Sequence, residues 1–238
     1  VLAVGIPFYD GTYTNQGAVA LYDWNSSTET WDFRSMSGFT NGIIVASDAA
    51  TAGSAPSFGQ GVALNDDGTV LVVGAPFRSS AAAVYTYDIS GTTATERAQI
   101  LTQTGAVFFG RGLALNDAAT VLAVGDEGYS TNTGIIWTYD ISGSTWVTKA
   151  SKTVVSLSSG DRLGSDVSLN ADGDRLVAGL RGYSSSQGAF IVFDWTGTVW
   201  DQRGSITQAD TPVTGESLGQ SVAFNSDASV LFAGAYFY

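Results

Sequence analysis

The chain contains no cysteine and no histidine. It has one methionine and 4 prolines, and read along its length only two lysines (Lys149, Lys152) and four glutamates (Glu29, Glu96, Glu127, Glu216). Each absence removes a class of chemistry. Without thiols there is no disulfide, no thiolate nucleophile and no cysteine-held zinc. Without imidazole there is no Ser-His-Asp triad and no histidine-bound metal. A formal charge of −12 over 238 residues excludes nucleic acid as an expected partner, because a phosphate backbone needs a basic face. No apolar run is long enough for a transmembrane helix. No leader is visible, but Val1 is not an initiator, and the chain reads as processed or cut.

What remains is rich in Asp, Gly, Ser, Thr and Val. Asp, Gly and Ser favour turns, whereas Thr and Val favour strands. Helical surfaces would draw on the scarce Glu and Lys. Hydrophobic residues make up 44% of the chain, enough for a sizeable core. The composition therefore predicts an all-β protein.

A repeat sets the organisation. A five-residue strand ending in glycine begins at Val1, Val70, Val121, Arg175 and Val230, at intervals of 69, 51, 54 and 55 residues. Four copies follow a second element: Phe58 to Asn65, Phe109 to Asn116, Leu163 to Asn170 and Leu218 to Asn225. A third element follows the glycine strand: Gly17 to Asp23, Ala82 to Asp88, Gly134 to Asp140 and Gly188 to Asp194. A fourth carries Trp31, Trp146 and Trp200, with Ala94 in the second copy. Asn65-Asp66-Asp67-Gly68 and Asn170-Ala171-Asp172-Gly173 between the first two elements read as hairpins, with positive φ expected at both central residues. Four antiparallel strands per unit describe a β-propeller blade. The units run 1–57, 58–108, 109–162 and 163–217, with a partial unit 218–238, in one region without a linker. The first is longer, and Asn41 to Ala46 is expected to add a strand or a covering loop.

Phe58-Gly59, Val73-Gly74-Ala75-Pro76 and Ala83 to Tyr87 together resemble the FG-GAP repeat of integrin-α-like β-propellers. That resemblance implies an extracellular or cell-surface, seven-bladed ring, of which about four blades are present here. The glycine strand occurs five times and the other elements four times, so Val1–Gly5 and Val230–Gly234 would compete for one place in a closed four-bladed ring; an arc of a larger propeller is the simplest expectation, and a five-bladed ring missing part of one blade is the alternative. The resemblance also implies a calcium loop before the glycine strand. Counting back from Gly74 puts its ligand positions on Val62, Leu64, Asp66 and Val70, and from Gly179 on Val167, Leu169, Ala171 and Arg175. These sets cannot chelate a hard cation, so no metal or other cofactor is expected; Asp10 to Asn15 is a weaker calcium candidate.

Candidate sites follow from register. Tyr9, Arg78, Tyr129, Tyr183 and Tyr238 fall four residues after the glycine. They would share one end of the ring, where tyrosines stack on sugars and Arg78 bonds hydroxyls; the alternative is inter-blade packing. The recurring tryptophans are expected to pack. Asp66, Asp172 and Asp227 read as turn residues, and Asp23, Asp88, Asp140 and Asp194 as turns or caps. Asp126, Glu127 and Asp161 break the repeat and are the first suspects for a two-carboxylate glycoside hydrolase or lyase. Asn25-Ser26-Ser27 is a glycosylation sequon. The expectation is a non-catalytic adhesion, recognition or structural-assembly module of a larger secreted or cell-surface protein. Its partners would be a protein or glycan ligand, or neighbouring subunits of an extracellular assembly. A lectin-like glycan binder is the alternative.

Overall fold

A computed structural model describes residues 1–48, 57–78, 81–97, 101–103, 105–143 and 145–236. The described strands form antiparallel meanders. The first sheet holds β1 (Leu2–Ile6), β2 (Ala18–Asn25) and β3 (Thr30–Arg34). The second holds β4 (Gly61–Leu64), β5 (Val70–Ala75), β6 (Ala83–Ser90), β7 (Thr93–Glu96) and β8 (Leu101–Thr102); β7 and β8 both pair with β6 and share the fourth place. The third holds β9 (Leu113–Leu115), β10 (Val121–Asp126), β11 (Ile135–Asp140) and β12 (Val147–Lys152). The fourth holds β13 (Leu163–Leu169), β14 (Arg175–Leu180), β15 (Phe190–Trp195) and β16 (Trp200–Thr207). A last pair, β17 (Ser221–Phe224) and β18 (Leu231–Gly234), occupies the first two places of a further unit. β1 starts at the second place, so the first sheet lacks the inner strand that β4, β9 and β13 provide elsewhere.

Alternation along the glycine strand decides what each face covers, because successive side chains point to opposite sides. Leu71 and Val73 pack with Val19 and Leu21 of the first sheet. Val72 and Val84 pack with Leu122 and Val124 of the third. Val121 and Ala123 pack with Leu176 and Ala178 of the fourth. The core is thus a series of similar layers between sheets. The terminal glycine lets neighbouring backbones meet: a Cβ built on Gly5, Gly74, Gly125 or Gly179 would lie 2.0, 1.9, 2.1 or 1.9 Å from the carbonyl oxygen of Gly59, Gly110, Gly164 or Gly219 in the next sheet.

The hairpin between first and second strands departs from expectation. Only its third loop residue is left-handed, at Gly68 (φ 70°), Ala119 (50°), Gly173 (70°) and Ala228 (54°). The geometry is held instead by the leading asparagine. Asn65, Asn116, Asn170 and Asn225 accept through Oδ1 from the amides of Val70, Val121, Arg175 and Val230 at 2.7, 2.7, 2.9 and 2.8 Å. The carboxylate that braces the second-sheet turn is that of Asp67, not Asp66: it accepts from the Thr69 amide at 3.1 Å. Turns also bond one another across sheets, from Asn65 Nδ2 to Asp117 O (3.4 Å), Asp117 N to Ala171 O (3.2 Å) and Ala171 N to Ser226 O (2.8 Å).

In the extended first unit, Val19 and Ile44 exchange backbone hydrogen bonds, and Ile43 covers Ala18 and Ala20. The segment is both added pairing and cover. It leaves the lower part of the same face open. Leu2, Val4, Tyr22, Trp24, Trp31 and Phe33 lie together there by strand register, with Trp24 51%, Trp31 47% and Phe33 45% exposed. The expectation that the tryptophans pack therefore holds for Trp146 and Trp200, which are buried, and fails for Trp24 and Trp31, which make an edge-to-face pair on an uncovered sheet.

Candidate functional site

The loops between second and third strands carry the register-matched candidates, and each loop is built by its own backbone. In two of them, Tyr129–Asn132 and Tyr183–Ser186, the chain makes a left-handed turn, with Ser130, Thr131, Ser184 and Ser185 at φ 49°, 60°, 52° and 61°. The turn closes on Gly134 and Gly188, whose amides donate to Tyr129 O and Tyr183 O at 3.0 Å each. It also reaches the next sheet: Asn132 O accepts from the amides of Gly160 and Arg162, and Ser186 O from those of Gly215 and Ser217. These residues hold an unfavourable conformation because the neighbouring sheet uses the carbonyls it exposes.

The four candidates stay on loops of separate sheets, and among the described residues no hydrogen bond, ion pair or ring contact links them. Tyr9 lies half-buried in a polar cleft of about 370 Å³ with Asp10, Thr12, Gln16, Thr40 and Asn41; its hydroxyl accepts from Asn41 Nδ2 at 3.2 Å. Tyr183 borders an open, hydroxyl-rich cleft of about 610 Å³ with Ser158, Ser159, Asp161, Ser184 and Ser185, and its ring packs on the core between third and fourth sheets. Tyr129 stands edge-on to Trp137. Arg78 is engaged by Asp48, which takes its Nε at 3.1 Å and its Nη2 at 2.5 Å and also accepts from Tyr85 Oη at 2.7 Å. Tyr238 lies outside the described residues. Asp10 closes its own loop by accepting from the Asn15 amide at 2.7 Å.

The repeat-breaking acids divide into two kinds. Asp126 accepts from the amides of Val107, Phe108 and Gly128 at 3.1, 2.8 and 3.3 Å; burial raises its pKa and the three amides oppose that rise. Asp161 accepts from the Ser158 amide at 2.7 Å, and Glu216 does the same for Val213 at 3.0 Å in the next unit. Val107 occupies that place at the end of the second unit, and Asp126 brings the carboxylate from the adjoining sheet. Glu127 is different. Its side chain is fully buried and is gripped by Arg111 through Nη1 and by Arg181 through Nε and Nη2, with Arg162 Nη1 at 3.9 Å. The arginines come from the third and fourth units and join the two sheets. They stand where other units have Gln60, Ser165 and Gln220 (Arg111), Ser57 and Ser217 (Arg162), and Pro7 and Pro76 (Arg181). Departure from the repeat is the sequence signal that marks these arginines, as it marks the acids.

Three of the strand-ending aspartates are ion-paired rather than simple caps: Asp23 with Arg34, Asp88 with Arg97, and Asp194 with Arg175 and Arg203. Asp140 caps its turn, accepting from the Ser142 amide at 3.0 Å. Asn25 sits at the end of β2, half-buried. Its Oδ1 accepts from the Ser27 amide at 3.0 Å, and its Nδ2 donates to Asp32 Oδ2 at 2.8 Å.

No protein-family model and no curated protein matches the chain. Among solved structures it is similar to TolB from Acinetobacter baumannii, a β-propeller protein, at 10% identity with a TM-score of 0.51, over 91% of this chain and 42% of that one. The chain thus spans less than half the length of that relative, and the likeness concerns the fold: antiparallel, mostly four-stranded sheets stacked side by side, as in a propeller.

Proposed function

We propose that the chain is an arc of FG-GAP-like propeller repeats that serves as a non-catalytic, extracellular structural-assembly module. It docks through its end sheets onto a second copy of itself. One observation carries this reading: the face of Leu2, Val4, Tyr22, Trp24, Trp31 and Phe33 is apolar and open, while the equivalent faces of the second, third and fourth sheets are each buried by the sheet before them. The complementary face at the other end offers Val230 and Phe232, also exposed. The molecule therefore contains three examples of the contact that a head-to-tail neighbour would make. Such a contact is heterologous and propagates into a ring or a filament. Light scattering during size exclusion is expected to give a mass above 24.7 kDa that grows with concentration, and Trp31→Asp with Phe33→Asp should return it to one chain. A monodisperse monomer across the accessible concentration range overturns the docking.

A second reading, glycan recognition, has its own observation in the two polar clefts beside Tyr9 and Tyr183. It predicts glycan binding that is lost in Tyr183→Ala and unaffected by the Trp31 and Phe33 changes.

A further inference from the structure

The arginines of this chain are distributed unevenly over its acids. Arg34, Arg78 and Arg97 each face an aspartate of their own, and Arg175 and Arg203 share Asp194. Arg111, Arg162 and Arg181 share one glutamate. Glu127 neutralises one of the three charges: Oε1 accepts from Arg111 and Arg181, and Oε2 from Arg181. Arg162 stands 3.9 Å off and makes no hydrogen bond to it. The two nearest acids in sequence do not pair with these arginines. The Asp126 carboxylate is turned to three backbone amides and that of Asp161 to the Ser158 amide, and neither forms an ion pair with a guanidinium. Among the described residues, Arg162 therefore has no hydrogen-bonded carboxylate partner, in a chain whose net charge is −12.

The cluster is reachable. The side chains of Arg111, Arg162 and Arg181 keep 27%, 29% and 23% of their surface, while the glutamate beneath keeps none. Glu127 thus acts as a buried peg that holds guanidinium groups together against their mutual repulsion, while each of them keeps part of its surface. Each guanidinium carries five donors in a planar fork that suits a carboxylate, sulfate or phosphate. Arg162 also occupies a left-handed position (φ 62°) that its repeat equivalents fill with Ser57 (53°) and Ser217 (55°).

We propose that Arg111, Arg162 and Arg181, gathered around Glu127 at the junction of the third and fourth sheets, form a binding site for a tetrahedral oxyanion: phosphate or sulfate, free or as an ester on a sugar. The fork geometry of Arg162 supplies a contact that Glu127 does not use. The site does not depend on end-to-end docking and lies away from the end faces.

Isothermal titration at fixed ionic strength tests it, with sodium phosphate, sodium sulfate and a sugar 6-sulfate as separate probes and chloride as the balancing ion. Saturable binding of one equivalent of inorganic phosphate or sulfate is expected. Tighter binding of the sugar ester would identify the ester as the source, and equal or weaker binding the free ion. Arg162→Gln should weaken binding by about tenfold or more, as loss of a charge-assisted contact does. It leaves the Glu127 pairing intact, so the circular dichroism should not change. Arg203→Gln, at the paired cluster on Asp194, should bind like the parent. Arg162→Lys keeps charge without the fork and should fall between parent and Gln; it serves if the Gln variant fails to fold. Absence of saturable binding to all three probes overturns the proposal, as does unchanged affinity in both Arg162 variants.

Discussion

Glycine at the end of each second strand does a job no other residue can. A methyl group on Gly125 would sit 2.1 Å from the Gly164 carbonyl oxygen, and backbone cannot swing aside as a long side chain can. Gly125→Ala should cost about 3 kcal/mol or more, read as a fall in thermal midpoint. Gly91→Ala is the control. It is left-handed (φ 56°) with nothing within 4 Å of the added carbon, so about 1 kcal/mol of backbone strain is all it should lose. The turn asparagine is the other residue on which each unit depends. Asn116 is buried, and its Oδ1 accepts from the amides of Thr120 and Val121 at 2.9 and 2.7 Å. Asn116→Ala leaves both donors without that partner and should cost about 1–3 kcal/mol in chemical denaturation, whereas Asn116→Asp keeps the acceptor and should lose less.

At the scale of the strand, β13 joins the fourth sheet to the last pair through side chains that accept from its backbone. Asp166 accepts from the Val222 amide at 2.9 Å, and Ser168 Oγ from that of Phe224 at 3.1 Å. Burial pushes the Asp166 carboxyl up to about 6, with the Val222 and Val167 amides pulling the other way. A carboxyl whose folded pKa exceeds its unfolded value favours folding in its protonated form. Its contribution is therefore complete below about pH 4, where both states are protonated, and is lost as pH rises through about 6. Asp166→Asn should stabilise the protein above pH 6, on the order of 2 kcal/mol from a shift of about two units, and should flatten that part of the pH–stability curve; an unchanged curve would show that Asp166 titrates normally. Strands of this kind were legible in the sequence because the apolar runs recur with their turn residues. The asparagine was equally visible, closing four copies of one element, but its role depends on a turn with a single left-handed residue rather than the expected two. The arginine cluster was hidden for another reason. Arg111, Glu127, Arg162 and Arg181 hold three different repeat positions, and register alone does not say which positions meet across a junction. The clefts beside Tyr9 and Tyr183 were half legible: register put the tyrosines in matching loops, while the serines and Gln16 around them follow no repeated pattern.

At the scale of the molecule, nearly every junction between sheets is made in the same way, by glycine on backbone, by apolar layers and by turns bonded to turns. Stability in such an array is close to a sum over units and nearest-neighbour contacts, and self-docking would raise the thermal midpoint with concentration. That expectation separates docking, which the Trp31 and Phe33 changes remove, from oxyanion binding, which they leave alone. The uniform junctions also make the units exchangeable in principle: a duplicated or transplanted unit would meet the same glycine and the same turn wherever it landed. Glu127 is the exception. It sits on the third unit and needs Arg181, at the equivalent position of the fourth, to balance its buried charge. Among junctions that would otherwise accept any partner, that pair gives one of them an address, fixing the order of two units in an array whose backbone contacts are indifferent to order.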